Sequence, residues 1–196
     1  MKRGLRLIVL LPLASACGST EVALPYAPAT ATVMRDNRPV VALGSVADER
    51  GEPDPRWIGT IRGGFGNPLK TIHARDAVAI EVRKAFEDAL AARGLLASAG
   101  GQQYLLQVRI LDFNVNQTLR READVKFAIT LSHGSAAPVY ADEIHVNRVS
   151  GGVLAFDKGV FSNPQDLRAV MNSAMNQAID EALDKPNFRA ALGARA

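Results

Sequence analysis

The residue with the most definite chemistry is Cys17, the only cysteine among 196 residues. It closes the stretch Leu13-Ala14-Ser15-Ala16-Cys17, after an apolar run Leu7-Ile8-Val9-Leu10-Leu11 opened by Lys2, Arg3 and Arg6. A positive start, a short apolar run and small residues are the three parts of a secretory signal. Small residues before a cysteine resemble a bacterial lipobox, where the cysteine is diacylated, the signal is cut just before it and the new amine is acylated. Ala14-Ser15-Ala16 also fits the A-x-A pattern of ordinary signal peptidase, and Ala14 stands where lipoboxes usually carry leucine. Lipidation is the favoured fate, since an ordinary cut would leave an odd thiol in an oxidising compartment. Two or three acyl chains such as palmitate on one residue hold a protein durably, whereas one gives only marginal membrane binding. Gly18 is not the aspartate that resembles an inner-membrane retention signal, so an outer-membrane location facing the periplasm is expected.

The other groups capable of chemistry do not assemble into a site by spacing. His73, His133 and His145 have no second ligand at helical or turn spacing, so no metal and no other cofactor is expected. The chain contains no G-x-S-x-G elbow, H-E-x-x-H or P-loop, and no catalytic residue is assigned. Asp48-Glu49-Arg50 is the best polar cluster; it either positions side chains for function or ties down the loop that follows. That loop, to His73, is rich in glycine and proline and carries Trp57, Ile58, Ile61 and Phe65. Either these apolar residues fold back as a hairpin or they form a contact surface, which makes Asp48, Arg50, Trp57 and Phe65 the candidate interaction residues. The basic balance of the whole chain is an artefact of the signal. Residues 1–16 hold Lys2, Arg3 and Arg6 and no acid, so the 23 basic residues fall to 20 against 20 acidic, and no nucleic-acid partner is implied.

Four segments are expected: a signal at 1–16, a lipidated cysteine and extended tether at 17–31, one domain at 32–186 and a polar tail at 187–196. Pro25 and Pro28 favour extended backbone in the tether, which would reach up to roughly 45–50 Å; the alternative is a strand packed on the domain. Val40–Val46 reads as a strand buried on both faces. Asp76–Arg93 carries Val78, Val82, Ala85, Phe86, Ala89 and Leu90 on one helical stripe, stopped by Gly94. Gln103–Gln117 alternates on one parity through Ile110 and on the other from Leu111, which predicts a β-bulge at Ile110 to Asp112. Ala123–Ser132 and Val139–Val149 complete an antiparallel meander. Asn163-Pro164-Gln165-Asp166 opens a last helix that runs in unbroken period to Pro186. The sum is an α+β two-layer sandwich of order β-α-β-β-β-α, with about four mostly antiparallel strands, two helices on one face and the other face partly polar and open.

The lipobox cysteine, the strand ending Asp48-Glu49-Arg50, the helix finishing Ala91-Ala92-Arg93-Gly94-Leu95-Leu96, the Leu105-Leu106-Gln107-Val108 strand, the meander and the helix beginning at Asn163 together resemble the YajG-like family of bacterial lipoproteins. The resemblance covers nearly the whole mature chain and none of its motifs is catalytic. It implies a lipid-anchored envelope protein. The glycine-rich stretch 59–68 departs from it. The expected role is therefore a non-catalytic module held to the membrane by acyl chains on Cys17, binding an unidentified envelope component. The rival is a carrier of a small apolar ligand held between sheet and helices, suggested by the methionines of the last helix.

Overall fold

The computed structural model describes residues 18–27, 39–63, 65–118, 120–134, 137–150 and 163–193, so the signal and Cys17 lie outside it, as do residues 28–31 of the expected tether. Its frame is the meander. Tyr104–Gln117 (β5), Arg121–His133 (β6) and Pro138–Ser150 (β7) pair antiparallel over almost their whole lengths. The register slips between Ile110 and Asp112, where the apolar parity changes, so Val108 and Ile110 before the slip and Phe113 and Val115 after it all face the core. Phe127 of β6 receives Phe86 edge-on at 5.6 Å and lies against Phe113 at 6.4 Å. Val78–Ala92 (α1) and Pro164–Asp184 (α2) pack their apolar stripes on this face. Asn163 caps α2 by accepting from the Gln165 amide at 3.0 Å, and Gly94 ends α1 at φ 66°.

Among the described residues the sheet has seven strands, not four, and is mixed. Val41–Asp48 (β2) lies parallel to the first half of β5, and Trp57–Arg62 (β3) lies parallel to its last residues, so both occupy one flank of the same long strand in succession. β3 turns into Pro68–Ala74 (β4), and Gly18–Val22 (β1) adds to β4 in parallel. The long loop expected before His73 is therefore the hairpin alternative, built into the sheet. β2 is not buried on both faces: only Val41 is fully buried, because among the described residues its outer edge is covered only by a bridge from Val41 to Leu96, and its path is broken by a register shift between Leu43 and Val46.

Described residues of the expected tether are also structured. After β1, residues 23–27 run as an extended strap along α2, where Arg168 Nε donates to the Ala23 carbonyl at 2.8 Å and Asn176 Nδ2 to that of Ala27 at 3.0 Å. Val22 and Leu24 are buried and Tyr26 is half-buried, an alternation that the prolines obscure. Part of the expected tail is a third helix, Pro186–Gly193 (α3), which buries Phe188 and Leu192.

Candidate functional site

Midway along β5 the chain leaves β2, makes an excursion at residues 49–56 and returns as β3. Arg50 pins this excursion. Its Nε and Nη2 donate to the two carboxylate oxygens of Asp48 at 2.8 and 2.7 Å, and its Nη1 donates to the carbonyls of Trp57 at 2.8 Å and Phe113 at 3.1 Å. The Arg50 side chain is 5% exposed. Around it Arg109 forks onto Glu49, Asp54 accepts from the Arg56 amide and pairs with His73 at 3.0 Å, and Arg56 pairs with Glu21.

The carboxyls are held ionised. Burial works against the charge of Asp48, but the hydrogen bonds from Arg50 outweigh it and lower its pKa. Arg109 lowers Glu49, Arg56 lowers Glu21, and the Arg56 amide leads the lowering of Asp54. A carboxylate held this way is a poor proton donor near neutrality. The cluster thus has the features of a joint that fixes the β2–β3 crossing. Trp57, half-buried at the start of β3, belongs to this joint.

Phe65 does not. It stands about 20 Å along the hairpin, beyond the far end of β3. The tip is closed by Gly63 and Gly66 amides donating to the carbonyls of Asn67 and Gly63, both at 2.8 Å, and by Arg62 Nη1 donating to the Gly66 carbonyl at 3.3 Å. Phe65 projects from it fully exposed, with Leu69 54% exposed beside it. The four candidate interaction residues therefore divide into a half-buried joint and an exposed tip. Leu69, Arg62 and Lys70 were missed at that tip, although the alternation on both sides of Gly63–Gly66 marks a hairpin once its ends are aligned.

Met171 and Met175, which suggested a ligand between sheet and helices, are both fully buried and packed in the core cluster. Clefts of about 180 and 260 Å³ flank the strap at Tyr26 and Ala27 on the surface, with walls that mix apolar and charged groups. Among the described residues no group of three or more acidic, histidine or cysteine side chains could hold a metal ion, and no helix is long and apolar enough to cross a membrane.

No protein-family model and no curated protein matches the chain. Solved structures do. Protein XCC0632 from Xanthomonas campestris, of the DUF330 family model, is similar with a TM-score of 0.63 at 14% identity, over 90% of this chain and 98% of that one. The hypothetical protein CT253 from Chlamydia trachomatis gives 0.50 at 12% identity, over 76% and 96%. Lipoprotein GNA1162 from Neisseria meningitidis is matched over 70% and 96% at 11% identity, with a TM-score of 0.30 that carries no inference. At such identities what the chain shares with the first two is a fold.

Proposed function

We propose that the chain is a lipid-anchored lipoprotein of the YajG-like kind, held in the bacterial outer membrane by acyl chains on Cys17, facing the periplasm and acting as a non-catalytic interaction module for another envelope component. The observation that carries this is the position of Cys17. It follows a secretory signal and small residues, and the residue after it begins a strand of the folded sheet. A lipid on Cys17 would thus be joined to the fold by one peptide bond. The polar joint around Arg50 supports the non-catalytic part, since its arginines and acids are committed to one another or to backbone carbonyls.

The test is fractionation of cells expressing the full chain. Cys17→Ser is expected to move the protein from the outer-membrane fraction of a density gradient to the soluble fraction. Retention of the Cys17→Ser protein in membranes, with the signal removed, overturns the anchor.

A further inference from the structure

The register of β1 fixes the end of the sheet at which the chain enters from Cys17. Gly18 pairs with Lys70 in the parallel β1–β4 ladder, and the Lys70 stem lies within 3.8 Å of where a Gly18 side chain would begin. β4 starts at Pro68, so the hairpin tip continues past Gly18 in the direction from which the chain enters. Asn67 is three residue steps from Lys70, which places the apex roughly 10 Å beyond Gly18. Cys17 is joined to Gly18 by a single peptide bond, and consecutive Cα atoms in a chain are about 3.8 Å apart. The apex therefore reaches past the point at which a lipid on Cys17 would join the fold.

The composition of that end matches what it would meet. Of the five large apolar side chains exposed among the described residues, Phe65 and Leu69 are at this tip and Val149 is at the same end of β7. The segment Trp57–His73 has no acid, and Arg62 and Lys70 flank the apex. Arg120, in the β5–β6 turn, adds a further exposed cation at this end beside exposed Arg62 and half-buried Lys70; Glu122 lies 3.9 Å from it, and Arg121 is paired with Asp166. An apolar apex with basic flanks suits the boundary between acyl chains and anionic headgroups.

The geometry points to the β3–β4 hairpin tip as a membrane-interface contact: Phe65 and Leu69 enter the phospholipid leaflet that holds the acyl chains of Cys17, with Arg62 and Lys70 at its phosphates. This rests on the lipidation of Cys17, whose failure is separately visible. The tip sets the orientation of the domain; the acyl chains supply the attachment.

The experiment uses the full chain processed in cells, purified in detergent and reconstituted into phosphatidylethanolamine–phosphatidylglycerol vesicles with brominated acyl chains. Trp57→Phe removes the native fluorophore, and Phe65→Trp or Val139→Trp then places one at the apex or at the opposite end of the sheet. Circular dichroism confirms that each variant folds, and mass spectrometry reads the state of Cys17. Insertion of about 5–10 Å predicts that the Phe65→Trp variant loses roughly half or more of its emission while the Val139→Trp variant is unaffected. An acylated protein whose apex fluorophore is unquenched, or whose fluorophore at the opposite end is quenched equally, overturns the hairpin contact and leaves the anchor standing. An unmodified Cys17 overturns both.

Discussion

Arg93 is the buried charge on which the helical layer depends, and replacing it tests how the strap is held. Its side chain is 0% exposed and donates five hydrogen bonds: to Asp184 Oδ1 and Oδ2 at 3.0 and 2.5 Å, Asp180 Oδ1 at 2.8 Å, the Tyr26 hydroxyl at 2.9 Å and the Ala89 carbonyl at 3.1 Å. It thereby joins the end of α1, the end of α2 and the strap. Burial works against its charge, yet the bonds to Asp184, Tyr26 and Asp180 outweigh that and raise its pKa, so it is charged at all accessible pH. Arg93→Met keeps the volume and removes the donors. Breaking a buried ion pair from one side costs about 3–5 kcal/mol. Asp180 and Asp184 retain 21% and 29% exposure and regain some hydration, which places the loss near the low end, about 3 kcal/mol. For a chain of this size that is roughly 6–12 °C in Tm. Urea denaturation followed by Trp57, the single tryptophan, measures it. Because the loss arises from orphaned acids, Arg93→Met/Asp184→Asn is expected to be more stable than the sum of the single effects. Strictly additive effects, or an Arg93→Met loss below about 1 kcal/mol, a size ordinary for surface changes, would refute the role given to Arg93.

Gly59→Ala tests the seating of the hairpin on β5: a Cβ at Gly59 would lie 1.7 Å from the Val115 carbonyl oxygen, in a parallel ladder that cannot yield. A loss of about 3 kcal/mol, at or above the usual overpacking range, is expected in the same denaturation assay, and wild-type stability would show that β3 does not sit there. Acid sensitivity follows from Asp184. Burial disfavours its charge, but Arg93 and Arg189 outweigh that and hold its pKa below the ordinary carboxylate value. The unfolded chain then takes up the proton first as pH falls, so this stabilisation is complete above about pH 4 and is lost below it, as pH descends through the folded pKa. Urea midpoints between about pH 5 and pH 2 are expected to fall more steeply for wild type than for Asp184→Asn; equal slopes would remove Asp184 from the acid response.

The parts of the fold legible in the sequence are those whose pattern repeats over many residues. The α2 stripe with its Asn163 cap, the α1 stripe with its Gly94 stop and the meander with its slip at Ile110 to Asp112 all survive in the structure. What was not legible was short or depended on distant partners. β3 and β4 have six and seven residues and are joined through glycines, so each alone resembles loop. β1 has five residues, and its pairing with β4 is parallel and some fifty residues away. Of the candidate site, the Asp48–Arg50 pair could be read because its members are two residues apart, whereas nothing near Arg93 in the sequence marks it as a buried charge. Its carboxylate partners lie 87 and 91 residues further along the chain. The outward aim of Phe65 followed from the closure of the tip, which no local pattern encodes.

The strap changes what an anchor at Cys17 would mean mechanically. A free tether of fourteen residues would let the domain sample any orientation within roughly 45–50 Å of the membrane. Instead the first described residue is in register with Lys70, and residues 23–27 are bonded to α2 from Arg168 to Asp180. Reach then comes from the sheet. β5, with fourteen residues at about 3.3 Å each, extends about 45 Å, with its Gln117 end near the hairpin tip and its Tyr104 end opposite. The same distance is covered, but by a folded sheet with a Gln117 end and a Tyr104 end. A partner in the periplasm would meet the Tyr104 end and the His133–Gly134 turn, while the Phe65 end would meet lipid. The acids gathered by Arg93 matter to that arrangement because Tyr26, which donates to Asp180 at 2.6 Å and is pushed up to about 12 chiefly by burial, ties the strap to both helices at once. Loosening that one knot would free the strap from α1, while the Arg168 and Asn176 bonds and the β1–β4 ladder upstream would still hold the entering chain to the sheet.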